Sequence, residues 1–399
     1  MLENERPSNL RGESCHVCGE PEPVIIPGYD LFPRLTSDSK PWPPGGRLIM
    51  CNSCGCVQKV IDQEWQSEVK KLYDAYSIYY QSDGAEQSVF PETSGRATSR
   101  STRVVECLHR HVTLPVIGRL LDIGCGNGAL LNAFARRNPA WTLAGTELNE
   151  KYRQNIEAIQ NVESLHTCAP HQVPGTFDLI TMIHVLEHIA DPRQFLISLR
   201  EKLHPAGFLV IEVPNYLENP FDLLIADHST HFSVATVSRL LGESGFKISH
   251  LASDWVSKEL SVIACIAHDS SGPTKPLSFP SFQETTSFLL WLASVADAAK
   301  KLSAEENFGI FGTSNAATWL FEAVNGRADF FIDEDPARIG RQHLGRPVYH
   351  PTQTPAGSRT LIALPTPIAW KIQERMKTLG LSGQFFTPPP MPGFPSDKY

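Results

Sequence analysis

Three groups of residues in this 399-residue chain have the types and spacing to do chemistry. In the first, Arg119-Leu120-Leu121-Asp122-Ile123 runs into Gly124-Cys125-Gly126-Asn127-Gly128 and then into the helical pattern Ala129-Leu130-Leu131-Asn132-Ala133-Phe134. A strand, a glycine turn and a helix start, in that order, aim backbone N–H groups at a bound cofactor. The glycines let the backbone approach it with no Cβ in the way. A dinucleotide fingerprint reads Gly-x-Gly-x-x-Gly, and here the third glycine falls one residue early, which argues against an NAD enzyme. The next apolar run, Trp141 to Glu147, ends in a carboxylate that could accept hydrogen bonds from both hydroxyls of a ribose. In the second group, Cys15 and Cys18 form one Cys-x-x-Cys pair and Cys51 and Cys54 another, with Cys56 as a spare. Two such pairs supply the four thiolates of a tetrahedral structural zinc site. The third group is Asp227, His228 and His231, an acid and two imidazoles suited to proton transfer.

These residues need elements to position them, and the sequence pattern supplies those. Residues 1–70 are rich in Pro and Gly, cannot build much core, and need the metal as a staple. An aromatic-rich connecting segment over 71–115 carries Tyr73, Tyr76, Tyr79 and Tyr80. Between 116 and 270, strand patterns at Arg119–Ile123, Trp141–Glu147, Phe177–Ile183 and Phe208–Val213 alternate with helical ones, which predicts a parallel α/β sheet. Ser261–Ala267 reads as a closing strand. A polar linker then leads to a long helix near Thr285–Leu302 and a second α/β unit reaching residue 387, with a proline-rich tail over 388–399. The fold class expected is therefore α/β, with a Rossmann-like central sheet, a small N-terminal zinc-binding module and a C-terminal Rossmann-like domain.

Bulk composition narrows the partners. At 41% hydrophobic and 20% charged, the composition is that of an ordinary globular protein. A net charge of −8 offers no basic footprint for nucleic acid or for an anionic membrane surface. No apolar run reaches a membrane span, and the polar start Met1-Leu2-Glu3-Asn4-Glu5 is no signal peptide. A cytoplasmic location is the expectation, with a small molecule as acceptor and with neither nucleic acid nor membrane as partner.

The acid-preceded Gly-x-Gly-x-Gly turn resembles motif I of the class I S-adenosylmethionine (SAM) methyltransferases. Phe177-Asp178-Leu179-Ile180, then His184-Val185-Leu186-Glu187-His188 and Asp191-Pro192, resemble the strand, loop and helix that follow in that class. The resemblance implies SAM as cofactor, held by Asp122, Gly124, Gly126, Gly128, Glu147 and His184. The spacing His184-x-x-Glu187-His188 also fits a zinc protease pattern, but that pattern needs both histidines on one helix, and these directly follow a sheet strand. His188, taken alone, reads as a core or capping histidine.

The chain as a whole resembles the zinc-containing NDP-sugar C-methyltransferases. The matching segments are Cys15-His16-Val17-Cys18-Gly19, Cys51-Asn52-Ser53-Cys54-Gly55-Cys56-Val57-Gln58, and Phe311-Gly312-Thr313 through Asp333-Glu334-Asp335-Pro336 to Gly345-Arg346-Pro347-Val348. That family carries a Tyr-His-Glu-His segment with the catalytic base. Here Ile225-Ala226-Asp227-His228 stands in its place, so the resemblance puts the base at His228, with Asp227 for the glutamate. Tyr79 most closely matches the family's other active-site tyrosine.

The chemistry implied is SAM-dependent C-methylation of a nucleotide-linked keto sugar. A carbon nucleophile arises when a base removes the proton next to a carbonyl, and the enolate then needs hydrogen-bond donors. Three residues apart, His228 and His231 would share a face of a helical turn, making His231 a candidate enolate donor. The alternatives are O- or N-methylation of another small metabolite, or a scaffold that keeps the fold without turnover.

Overall fold

The computed structural model describes residues 12–77, 86, 88–89, 98–268, 278–381 and 383–394. Its centre is a seven-stranded sheet made of β1 (Arg119–Ile123), β2 (Thr142–Thr146), β3 (Val162–His166), β4 (Phe177–Ile183), β5 (Leu203–Pro214), β6 (Phe246–Ala252) and β7 (Glu259–Ile266). The strand order is β3-β2-β1-β4-β5-β7-β6. The pairs from β3 to β5 are parallel, and β7 runs antiparallel to both its neighbours. Strands β1 and β4 are almost continuously apolar because helices cover both faces, as a parallel sheet requires. Leu120, Leu121, Leu179 and Ile180 are fully buried. The order reverses between β1 and β4, and the carboxyl ends there form the crevice in which α/β folds bind ligands.

Strand β5 starts at Leu203 and β2 stops at Thr146, so Glu147 lies just past the strand end. Between the small N-terminal sheet and β1 lie the helices Gln63–Asp74 and Arg100–His111. Each is capped by a side chain, Asp62 and Ser99 respectively, accepting from a free N–H of the first turn.

The N-terminal module is a small antiparallel sheet of Val24–Ile25, Leu48–Met50 and Val57–Lys59. Its fourth strand, Thr230–His231, comes from far along the chain: Thr230 pairs with Gln58 and His231 with Val57. The module thereby grips the segment that carries the candidate histidines.

In the C-terminal part, the helix Phe282–Leu302 precedes a six-stranded sheet centred on Phe308–Phe311, Phe330–Ile332 and Arg359–Ile362. One apolar core joins this part to the N-terminal module. Tyr29, Leu35 and Leu48 belong to it with Trp291 and Trp319, and the ring of Phe221 stacks edge-on against both tryptophans. Among the described residues, no helix is long and apolar enough to cross a membrane.

Candidate active site

The glycine turn lies at the carboxyl end of β1. Gly124, Gly126 and Gly128 have φ of 65°, 58° and 85°, a region that L side chains rarely adopt. A Cβ on Gly124 would come within 2.6 Å of Val185 Cγ2, so the turn is in contact with the loop after β4. The Gly126 N–H donates to Glu147 Oε1 at 2.6 Å, which sets the predicted ribose carboxylate against the turn. Asp122 is buried beneath it and accepts from Thr181 Oγ1 at 2.6 Å. Burial pushes its carboxyl up to about 7, against the lowering effect of that hydrogen bond. Bare backbone at the turn, an acid at the β2 end and a helix starting at Ala129 suit the adenosyl and methionine parts of SAM.

His184 opens the loop after β4 with φ of 55°, an uncommon conformation for a residue other than glycine. Its side chain is drawn into an acidic cluster. Nδ1 lies 3.1 Å from Glu187 Oε1, and Nε2 lies 3.8 Å from Glu212 and 3.7 Å from Glu259. Arg100 faces the same two glutamates at 3.6 and 3.7 Å. Burial pushes both carboxyls up to about 7, offset in part by Arg100 and, at Glu259, by His184. The turn Leu186–His188 that follows is a short 3-10 helix, so the two histidines of the protease-like pattern do not lie along one α-helical face.

His228 is buried, and its partner is not the neighbouring acid. Its Nδ1 lies 2.8 Å from Asp222 Oδ1. The other oxygen of the same carboxylate, Oδ2, lies 2.7 Å from Nδ1 of His231. His231 is on a strand, not the expected helical turn, so the two imidazoles meet through Asp222 instead of along a helix face. Burial would raise the Asp222 carboxyl, but the two imidazoles outweigh it and hold it well below the usual range. Burial, with Lys59 nearby, pushes His231 down to about 4, which makes it neutral at physiological pH. Lys59 in turn donates to the Leu223 carbonyl at 2.7 Å and anchors the turn that carries Asp222.

Asp227 serves a different histidine. Its carboxylate accepts from the N–H and hydroxyl of Ser37 at 2.9 and 2.6 Å, and lies 3.3 Å from Nδ1 of His188. Burial would lower the His188 imidazole, yet Asp227 lifts it to about 9, and Asp227 itself is held at about 2. The Tyr73 hydroxyl lies 3.2 Å from the same Nδ1. The rings of His188 and His228 meet edge to face at 4.7 Å. His188 thus belongs to the site, a role its sequence neighbourhood does not announce. Tyr79 lies outside the described residues, and among the described ones Tyr73 reaches His188.

The four cysteines of the two pairs converge, with one sulfur from each within 4.8 Å of the others. Cys15 and Cys54 sulfurs are 3.5 Å apart, and Cys18 and Cys51 sulfurs 3.6 Å. A disulfide would need about 2.05 Å, whereas tetrahedral ligands on zinc at about 2.3 Å sit roughly 3.8 Å apart. The Val17 and Cys18 N–H groups point at Cys15 Sγ from 3.4 and 3.5 Å, as they would toward a thiolate. Cys56 lies outside the four-sulfur group. Two residues on, Gln58 ties the module to itself by accepting from His16 N at 2.8 Å and donating to the Ser14 carbonyl at 3.0 Å.

Strand order, glycine turn and strand-end acid build a ligand crevice within a segment that a known family matches. Residues 97–251 match the family model described as a methyltransferase domain. The chain is similar to ubiquinone biosynthesis O-methyltransferases. With the mitochondrial protein of Schizosaccharomyces pombe it shares 38% identity over 101 residues, 23% of this chain and 36% of that protein. With the protein of Xanthomonas euvesicatoria it shares 27% over 168 residues, 40% of this chain and 66% of that one. The chain thus spans between about a third and two thirds of the length of these relatives. Among solved structures it is similar to the mitomycin 7-O-methyltransferase MmcR, with a TM-score of 0.36 and 16% identity over 42% of this chain and 53% of that one.

Proposed function

We propose that this protein transfers the methyl group of SAM to a small molecule that loses a proton at the His188–His228 pair. The leading case is C-methylation of a nucleotide-linked keto sugar. One observation carries the reading: His228, buried and oriented by Asp222, stands beside His188 on a loop packed against the glycine turn. When bound, SAM supplies a methyl on a sulfonium sulfur, already a strong electrophile. The residues of the chain then have to align the acceptor and make it nucleophilic. Glu147 and the turn Gly124–Gly128 hold the cofactor, and His184 borders it with the acidic cluster behind. Asp222 fixes the tautomer and orientation of His228, as a carboxylate behind a working imidazole does. The Tyr73 hydroxyl is the donor placed to steady negative charge on the acceptor oxygen. The zinc reading extends this account: Cys15, Cys18, Cys51 and Cys54 hold a structural zinc, and the module it staples presents the Thr230–His231 strand.

O-methylation of another small metabolite is a second reading, favoured by the printed names of the relatives. Deuterium wash-in next to the carbonyl of a nucleotide-4-keto sugar, without SAM, separates the two. Exchange by the wild type and its loss in His228→Ala support carbon acid chemistry. No exchange, with SAM bound normally, favours oxygen.

A further inference from the structure

We propose that Glu187, His188 and His228 form a site for a divalent first-row cation, distinct from the four-cysteine site, at which the acceptor's oxygen binds. One donor atom from each residue lies within 4.8 Å of the other two. Two imidazoles and a carboxylate on one side of an ion, with open positions on the other, are a recurring set for such metals.

The surroundings of the three residues are those of metal ligands. A ligating histidine usually turns its other ring nitrogen to a carboxylate or carbonyl. Here Nδ1 of His228 is engaged by Asp222 at 2.8 Å, and Nδ1 of His188 by the carbonyl and carboxylate of Asp227 at 3.1 and 3.3 Å. Glu187 Oε1 is engaged by His184 at 3.1 Å. Its Oε2 is buried with no hydrogen-bond partner, in a residue only 1% exposed. A buried carboxylate oxygen left unpaired is costly, and a cation beside it removes the cost. The backbone also holds the set together: the N–H and hydroxyl of Ser229 both donate to the Glu187 carbonyl, at 2.7 and 3.0 Å. The neighbouring group of Asp222, His228 and His231 needs no ion, since two direct hydrogen bonds account for its closeness.

The role of the ion rests on the methyl-transfer reading, whereas the site itself does not. A hydroxyl or carbonyl oxygen bound to the cation becomes, or lies next to, a stronger acid. The O–H bond, or the C–H bond beside a carbonyl, breaks and its proton passes to water. The electron pair released forms the new bond to the methyl carbon, whose bond to sulfur breaks with its pair remaining on sulfur. With the ion bound, the proton that the His188–His228 pair takes in the ion-free chain passes to water instead, so His228→Ala abolishes turnover by either route and the manganese titration separates them.

Manganese(II) is the probe, because it favours oxygen and nitrogen over the thiolates of the cysteine site. The full chain, with its zinc counted by mass spectrometry, is titrated with manganese(II) while free ion is followed by electron paramagnetic resonance. One bound manganese per chain is expected. Glu187→Gln and His188→Gln are each expected to weaken that binding at least tenfold, with zinc content unchanged and SAM still bound. Absence of manganese binding by the wild type overturns the site, as does binding untouched in both variants. Failure of the methyl-transfer reading shows separately, as absence of SAM binding in the same preparation.

Discussion

Asp222 and His228 form a buried hydrogen bond of 2.8 Å across six residues, and it engages Nδ1 of the imidazole. The acid arrives on a turn, Pro220–Leu224, whose apolar neighbours Phe221, Leu223 and Leu224 are locked into the core shared with the C-terminal part. The histidine arrives on a segment paired to the N-terminal module. Three parts of the chain therefore have to be in place before this one bond forms.

Replacing Asp222 with Asn keeps the shape but turns an ionised acceptor into a neutral amide. Loss of the carboxylate behind a proton-accepting histidine costs up to about 10⁴-fold. We expect kcat/KM for methyl transfer to drop by that factor, with the SAM dissociation constant from calorimetry within threefold of wild type. Unchanged turnover would remove Asp222 from the mechanism.

Glu147 bears on the cofactor alone. Hydrogen bonds to a charged group contribute about 1.5–3 kcal/mol, so Glu147→Ala is expected to weaken SAM binding about 10–100-fold by calorimetry. The melting temperature without SAM should hardly move, because Glu147 is half exposed and its contacts are local to the turn.

The cysteine site is checked by composition and heat. One zinc per chain is expected in the purified protein, and none in Cys54→Ser. Because structural zinc contributes folding free energy directly, the variant should melt about 10 °C lower. It should also lose activity, since the module carries Val57, Gln58 and Lys59, the residues that hold the His228 segment.

Asp122 gives a pH dependence with a definite sign. Unfolded, an aspartate loses its proton near the ordinary value of 3.8; folded, burial holds the proton on up to about 7. Between those values the folded chain keeps a proton that the unfolded chain has lost, so stability falls as pH rises. Asp122→Asn removes the titration and still accepts from Thr181. Its melting temperature is expected to exceed that of wild type at pH 8, by an amount worth about 4 kcal/mol, with the gap narrowing toward pH 5. An equal gap at both values would contradict the assignment.

The parts of this architecture that are local in sequence were legible. The glycine turn, the acid at Glu147 and the alternation of strand and helix follow from short-range pattern, as does the convergence of two Cys-x-x-Cys pairs. The pairing inside the site was not. Asp227, which stands for the family's glutamate beside the base, meets Ser37, 190 residues away, and His188. Asp222 carries a weaker signal: it sits in the apolar run Phe221-Asp222-Leu223-Leu224, which the fold buries, and a buried charge needs a partner. His188 could not be distinguished from a core histidine, because only the closure of the loop after β4 onto the 227–231 segment brings it beside His228. His231 looked helical by spacing, and the distant strand Val57–Lys59 makes it extended.

The most direct test is incubation of the zinc-loaded chain with SAM carrying a carbon-13 methyl and a panel of nucleotide-4-keto sugars, followed by NMR of the products. The account predicts labelled methyl on the carbon next to the carbonyl, abolished by His228→Ala while SAM still binds. Label on oxygen would contradict carbon methylation, and absence of any transfer by protein that binds SAM to this panel and to hydroxyl acceptors would contradict the enzyme reading itself.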